Sequence, residues 1–360
     1  MGCCHSAHEE NRPVEEGLQS LQMDENGIQK AIVFKMKGLQ LQPLTFQDVK
    51  SDIDKVVKDL KKYKCYSVED CTEALESIIQ YASSQTSIRQ ESAPYLSQIG
   101  YGELYVKMTE SLFDYRRGLK TDRTGLLNLH LIQMAFWNFT DVCSELGRDL
   151  GKYGGVDLLL QDLAVYEKFR ADLTAMQYEY VEILLGILHN AIYMYRDNRD
   201  IYREADTVSI LTQFLKTEDM TVKTKALLVL AYCVDEEESG VLATAHGCIS
   251  FMTFMLSRAV DAIDHRVISK NSAFSAKEIL SGLNQLAVND DNKCQIQKEH
   301  GVAIIIRMLQ PEFTEDEQIL AAEGLWNLSF MEGIRSNVLH TDAECIAGKF
   351  IEYIPTMTLN

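Results

Sequence analysis

Apolar residues recur along this chain at helical spacing, not in alternation. In Val302, Ile305, Ile306 and Leu309 they fall at i, i+3, i+4 and i+7, a single stripe of one helix. Five helical stretches close on a leucine-rich or aromatic knot: Ala-Phe-Trp-Asn138-Phe, Ile-Leu-His-Asn190-Ala, Val-Leu-Ala-Tyr232-Cys, Leu-Asn-Gln285-Leu-Ala and Leu-Trp-Asn327-Leu-Ser. These numbered positions stand 52, 42, 53 and 42 residues apart. After each comes a polar stretch, and then a small residue opens a new apolar run: Gly155, Ala205, Gly247, Gly301 and Ala343, at offsets of 17, 15, 15, 16 and 16. Loop lengths drift freely, so an offset held across five copies marks an internal repeat.

The spacing predicts three helices per unit. A long one runs over Glu315 to Met331, with Ile319, Leu320, Leu325, Trp326 and Leu328 as core candidates. A short one crosses over Ile334 to His340, and a third carries the apolar run. The small residue is expected where two helices meet at a sharp angle and a side chain would block their approach. Trp137 and Trp326 are expected in the core. Such units bury their faces only against neighbours, which predicts an all-α, right-handed α-solenoid with a long concave surface. Before the array, helices are expected over Phe46–Tyr63, Glu69–Tyr81 and, after a break at Ser-Ala-Pro94, Leu104–Arg117. The expected organisation is a flexible tail over 1–28, an irregular helical cap over 29–120 and the repeat array over 121–360.

Composition agrees with a helical body. The 360 residues are 46% hydrophobic and 24% charged, and 5 prolines with 20 glycines leave little material for the turns of a strand-rich sandwich. A net charge of −18 disfavours a general nucleic-acid binder. Nine cysteines with no C-x-x-C spacing read as free thiols in a reducing compartment. The first ten residues lack the apolar stretch of a signal peptide. The longest apolar run, Ala226 to Val234, is far shorter than the ~20 residues that span a bilayer.

The amino terminus reads Met-Gly2-Cys3-Cys4-His-Ser6, which fits M-G-x-x-x-[ST]. Removal of Met1 would expose the Gly2 amine to myristoylation, and Cys3 and Cys4 are adjacent candidates for palmitate. One myristoyl chain holds a protein only marginally, at roughly 10⁴ M⁻¹, and a second makes the anchor stable. A metal site at Cys3, Cys4, His5 and His8 and an uninformative tail are the competing readings. Lys55, Lys58 and Lys62 share one face of a predicted helix, with Lys61 and Lys64 beside them. They read either as a membrane-facing basic patch or as a solvated face opposite Ile53, Val56, Val57 and Leu60.

Catalytic patterns are missing from the sequence. Gly151-Lys-Tyr-Gly154-Gly155 lacks P-loop spacing, the eight histidines form no H-E-x-x-H, and no G-x-S-x-G occurs. The expectation is a non-enzyme with no catalytic residues, no cofactor, no metal, no nucleic acid and no small-molecule substrate.

Glu-Gly-Leu-Trp-Asn327-Leu-Ser, and Leu286-Ala-Val-Asn-Asp-Asp-Asn-Lys followed by His300-Gly301-Val-Ala-Ile, resemble the armadillo repeat. The resemblance covers roughly residues 122–355 and is strongest in 278–342. It implies an ARM/HEAT-type superhelix whose third helices bear groove-facing asparagines, here Asn138, Asn190 and Asn327; Tyr232 and Gln285 depart from the pattern. Each asparagine either contacts a partner in the groove or satisfies backbone groups where repeats meet. Trp137 and Trp326 directly precede their asparagines, about 100° away on the helix, an arrangement unlike that of the nuclear-import receptors of the family. With the acylation signal, the chain is similar to acylated armadillo adaptors, which implies a scaffold on the cytoplasmic face of a membrane that holds protein partners. Leu146-Gly-Arg-Asp-Leu-Gly-Lys and Arg199-Asp-Ile-Tyr-Arg-Glu-Ala resemble the armadillo portion of invertebrate proteins carrying a TIR domain. That alternative implies the regulatory part of an innate-immune or NAD-cleaving protein. A regulator of small lipidated GTPases is a third expectation, implied by the fold alone.

Overall fold

The computed structural model describes residues 45–335 apart from 84–85, 121, 169–172, 174 and 270–271. Gly2, Cys3, Cys4 and Ala343, with most of the short helix expected over 334–340, lie outside the described residues. Two compact units divide between Ile210 and Leu211.

The first unit opens with α1 (Phe46–Leu60) and α2 (Glu69–Ala82). Val49, Ile53, Val57 and Leu60 recur every three or four residues and form the buried face of α1, while Thr45 and Asp48 close a capping box at its start. Two triplets follow. The first comprises α3 (Thr86–Gln98), α4 (Tyr101–Ser111), the single turn α5 (Phe113–Arg116) and α6 (Arg123–Thr140). The second is α7 (Ser144–Lys152), α8 (Gly155–Lys168) and α9 (Ala175–Met194). The long helices stack in chain order, α2 on α6 and α6 on α9. The triplet geometry thus starts at Thr86, inside the stretch expected to be an irregular cap. Pro94 does not break the chain as expected. It lies within α3, where Ile88, Ala93 and Leu96 are buried and hold the helix across the missing N–H.

A third set, α10 (Arg199–Glu204), α11 (Thr207–Phe214) and α12 (Met220–Cys233), follows in the same order, and the division between units falls within α11. The second unit continues with α13 (Glu236–His246), α14 (Cys248–Asp261) and α15 (Ala276–Leu286). Its last triplet is α16 (Asp290–Lys298), α17 (Gly301–Arg307) and α18 (Glu315–Leu328). Here α12 packs on α15 and α15 on α18. Between α14 and α15 stands an antiparallel hairpin, β1 (Arg266–Ser269) with β2 (Ser272–Ser275), in which Val267 faces Phe274. The hairpin accounts for the extra length between Tyr232 and Gln285, and the sequence reading did not foresee it.

One backbone device recurs between the first and second helix of every triplet. Gly100, Asp206 and His300 adopt φ of 81°, 57° and 60°, and Gly154 and Gly247 adopt 80° and 62°. The carbonyl of each accepts the first hydrogen bond of the helix that follows, from Leu104, Leu158, Ile210, Phe251 and Ile304 at 3.0–3.3 Å. At Gly247 the chain bends by 79°. The small residues found in the sequence fall at this turn or beside it. Gly247 is the left-handed residue itself, Gly155 and Gly301 follow it, and Ala205 precedes it. At Gly155 a Cβ would lie 2.4 Å from Leu150 Cδ1, and at Gly301 2.7 Å from Ile296 Cγ2, so close approach selects glycine there. The turn itself tolerates Asp206 and His300.

Candidate functional site

The long third helices carry every asparagine singled out in the sequence, and the structure gives the three different settings. Asn190, on α9, is buried and donates from Nδ2 to the carbonyl of Trp137 at 3.2 Å, with Thr140 Oγ1 at 3.5 Å. It ties α9 to α6. Asn138, on α6, is half-buried, and Asn327, on α18, is exposed. Asn138 and Asn190 belong to the first unit and Asn327 to the second.

Other amides do the joining that the sequence reading did not assign. Asn128, on α6, accepts from Thr72 Oγ1 at 2.7 Å and donates to the carbonyls of Tyr66 and Val68 at 2.8 and 3.0 Å, which holds α2 and its preceding loop. Asn284, on α15, donates to Leu320 O at 3.2 Å on α18. Asn198 donates to Gly147 O at 2.8 Å, and Asn292 reaches Ser239 Oγ and Leu286 O, both at 2.8 Å. An amide supplies donor and acceptor together, so one side chain satisfies groups on two helices that a packed junction would leave dry. The sequence signal was present in Asn-Asp-Asp-Asn292, read there only as family resemblance.

Access to the third helices differs along the chain. On α9 every residue from Tyr180 to Ile192 is buried, and on α12 every residue from Thr221 to Cys233 except Lys223. Against this, α18 keeps an open stripe. Glu323 is half-buried, Asn327 is exposed, Trp326 is 42% exposed and Phe330, just past the helix, is 62% exposed. These positions are spaced i, i+3, i+4 and i+7, one face of the helix. The two aromatic rings meet edge-on with centroids 5.6 Å apart. This corrects the expectation for Trp326: Leu325 and Leu328 take the inward stripe, and the tryptophan is turned outward. Trp137 is half-buried and lies against Gly186, where a Cβ would stand 2.4 Å from its Nε1.

Lys55 and Lys58 are exposed on the face of α1 opposite its apolar stripe, and Lys62, just past the helix, is exposed as well. Asp59 pairs with Lys62 at 2.7 Å and also feels Lys55 and Lys58, and the hydrogen bond from Lys62 chiefly holds its carboxyl below the usual range.

Inside the first unit lies a buried charge cluster. Asp162, on α8, has Arg116 Nε at 3.6 Å, Arg117 Nε at 3.8 Å and the Tyr180 hydroxyl at 3.3 Å, the last donating to Oδ2. Burial pushes its carboxyl up to about 6 against the pull of both arginines. Cys71, Cys143 and Cys248 are buried thiols pushed up to about 12 by desolvation, and no disulfide joins the described cysteines. Among the described residues no group of three or more His, Cys, Asp or Glu side chains could hold a metal ion. No single helix among them is long and apolar enough to cross a membrane.

A family model described as catenin-beta-like, Arm-motif containing nuclear matches residues 142–247, the stretch from just before α7 to the left-handed Gly247. Three-helix units joined at a left-handed turn, with long third helices stacked in order, characterise the fold. Within residues 142–247 these units are similar to the armadillo motif. Among solved structures, this chain is similar to a designed armadillo repeat protein at 16% identity, over 76% of this chain and 98% of that one, with a TM-score of 0.46. An engineered protein is similar at 19% identity, covering 78% and 97%, with a TM-score of 0.47. A structure concerned with the phosphorylation switch between cadherin and β-catenin is similar at 14% identity, covering 82% and 48%, with a TM-score of 0.48. No curated protein matches the chain in sequence.

Proposed function

We propose that this protein is a non-enzymatic armadillo scaffold, held at the cytoplasmic face of a membrane by acyl groups on Gly2, Cys3 and Cys4, that captures a protein partner on its third-helix surface. The observation that carries the binding part is the open stripe of α18. Two exposed aromatic side chains flanking an exposed amide offer apolar area and a hydrogen-bonding edge together, the composition that dominates protein recognition sites. Neighbours of the same fold are described as binding a (KR)4 peptide or as the cadherin partner β-catenin, and peptide or protein capture is proposed here by that analogy.

The binding part is tested by selecting peptides from a random library against the full chain and titrating the best of them. The Trp326→Ala/Phe330→Ala variant is expected to lose at least about ten-fold in affinity with an unchanged thermal midpoint. Equal affinity in the variant would remove this surface from the proposal. The anchor is tested separately by membrane flotation from cells. Wild type should float while Gly2→Ala and Cys3→Ala/Cys4→Ala stay soluble, and a wild type that stays soluble refutes the acyl anchor.

A further inference from the structure

Two surface loops of the first unit lie side by side between α1 and α2 and between α5 and α6. Tyr115, whose hydroxyl donates to Asp122 at 2.5 Å, also interacts with Ser67, while Cys65 bonds Ser67 at 3.1 Å and feels the charge of Lys120. Asn128 fastens the carbonyls of Tyr66 and Val68 to α6, so the loop 61–68 is fixed against the helix that the turn 117–123 leads into.

The composition of this surface departs sharply from the rest of the molecule. Residues 61–68, 117–120 and 122–123 hold six basic side chains and one acidic in a chain of net charge −18; Arg117 is turned inward to Asp162, Lys62 and Lys120 pair with Asp59 at 2.7 Å and Asp114 at 2.6 Å, and Glu69 and Asp70 mark the edge at the start of α2. Lys62 and Lys64 are exposed within the loop, and Lys58 reaches it from the last turn of α1. Among these cations stand two apolar side chains turned outward, Val68 at 39% and Leu119 at 41% exposure. Isolated surface apolar groups need no explanation, but a pair set on rigidly tethered loops within a basic field has the makeup of a peripheral membrane contact. Lysines there meet anionic headgroups and the apolar tips enter the interface between headgroup and acyl chain.

We infer that the surface built from loop 61–68 and residues 117–120, 122 and 123, together with Lys58, docks directly on an anionic lipid bilayer. This deepens the membrane part of the proposed function, yet it requires no acyl chain, so the two can fail separately. The surface would orient the first unit on the membrane, a property that acyl chains on residues 2–4 do not by themselves specify.

The test uses the full chain made without acylation, carrying Gly2→Ala, in sedimentation with vesicles of phosphatidylcholine alone or with roughly one-third phosphatidylserine. Binding is expected only to the anionic vesicles and should weaken as ionic strength rises. Lys58→Glu/Lys64→Glu should weaken it by about ten-fold or more, from the ~1 kcal/mol each lysine contributes near such a surface. Leu119→Asp should weaken it as well, at an unchanged thermal midpoint. Lys216→Glu/Lys298→Glu, the same charge change placed in the second unit, should leave it unchanged. Equal binding to both vesicle types, no binding at low salt, or equal loss in the two charge-reversal pairs overturns the inference. Because acylation is absent throughout, none of those outcomes bears on the anchor at Gly2.

Discussion

Asp162 is the residue whose chemistry is most constrained by its surroundings. Two guanidiniums approach it at 3.6 and 3.8 Å, too far for good hydrogen bonds, and Arg116 Nη1 has no hydrogen-bond partner among the described residues. Desolvation therefore wins, and the carboxyl sits at about 6 in the folded protein against an ordinary value of 3.8. A raised folded value means that the native state holds the proton more tightly than the unfolded chain between those two values. The stabilisation is present at low pH and is lost as pH rises through about 6. Asp162→Asn lacks this titration. Comparing denaturant midpoints, wild type should lose about 2 kcal/mol relative to Asp162→Asn between pH ~4.5 and ~7.5. Parallel pH profiles for the two proteins would show that the buried pair does not titrate in this range.

Asparagines illustrate how far single residues could be read from sequence. Their type and place on the third helices were legible, because an amide closing an apolar helical run stands out. Their setting was not, since Asn190 and Asn327 occupy similar knots and differ only in what packs against them. Removing Asn190 deletes one bond to the Trp137 carbonyl, which keeps Asp141 N at 3.2 Å and Thr140 Oγ1 at 2.9 Å, so Asn190→Ala should cost about 0.5–1.5 kcal/mol for the lost hydrogen bond, whereas exposed Asn327→Ala should stay within about 0.5 kcal/mol. Thermal midpoints of the two variants, measured side by side, decide this. Similar midpoints would mean that the bond to Trp137 contributes nothing.

At the scale of elements, the repeat was legible and its details only in part. The offset from knot to small residue worked as a signal because the short first helix it spans keeps nearly one length, 9, 11 and 9 residues in α7, α13 and α16, and ends on the left-handed turn. The sequence could not separate two demands on neighbouring positions, a positive φ and space for close packing. At Gly154 φ is 80° with nothing within 4 Å of a Cβ, while at Gly155 a Cβ strikes Leu150 Cδ1 at 2.4 Å and lies 3.1 Å from its carbonyl oxygen. Gly154→Ala should therefore cost about 1–2 kcal/mol for the backbone alone. Gly155→Ala should cost about 1–3 kcal/mol for overpacking, with a repacked α7–α8 contact. Chemical denaturation gives both values, and amide exchange should quicken in α7 only for Gly155→Ala. The hairpin escaped because Arg-Val-Ile-Ser and Ser-Ala-Phe-Ser are four-residue strands, too short for alternation to register. The unit's surplus length was its one trace. Pro94 was misread because burial on both sides of it outweighs the single hydrogen bond it removes.

For the whole molecule, the decisive contrast is between forces that salt screens and forces that it does not. The net charge of −18 repels an anionic leaflet at long range, and the basic surface of the first unit must act within a few ångströms of it. At about 1 M salt the Debye length is near 3 Å, so lysine contacts lose most of their strength, whereas each buried methylene of an acyl chain still contributes roughly 0.8 kcal/mol. The doubly acylated protein should therefore remain on isolated membranes through a wash in ~1 M salt. The Cys3→Ala/Cys4→Ala protein, with one marginal chain and the basic surface, should be released by that wash and retained at ~0.05 M salt. Retention of the cysteine variant at high salt would show that the basic surface adds nothing to its hold, and release of the wild type would show that the two-chain anchor does not form.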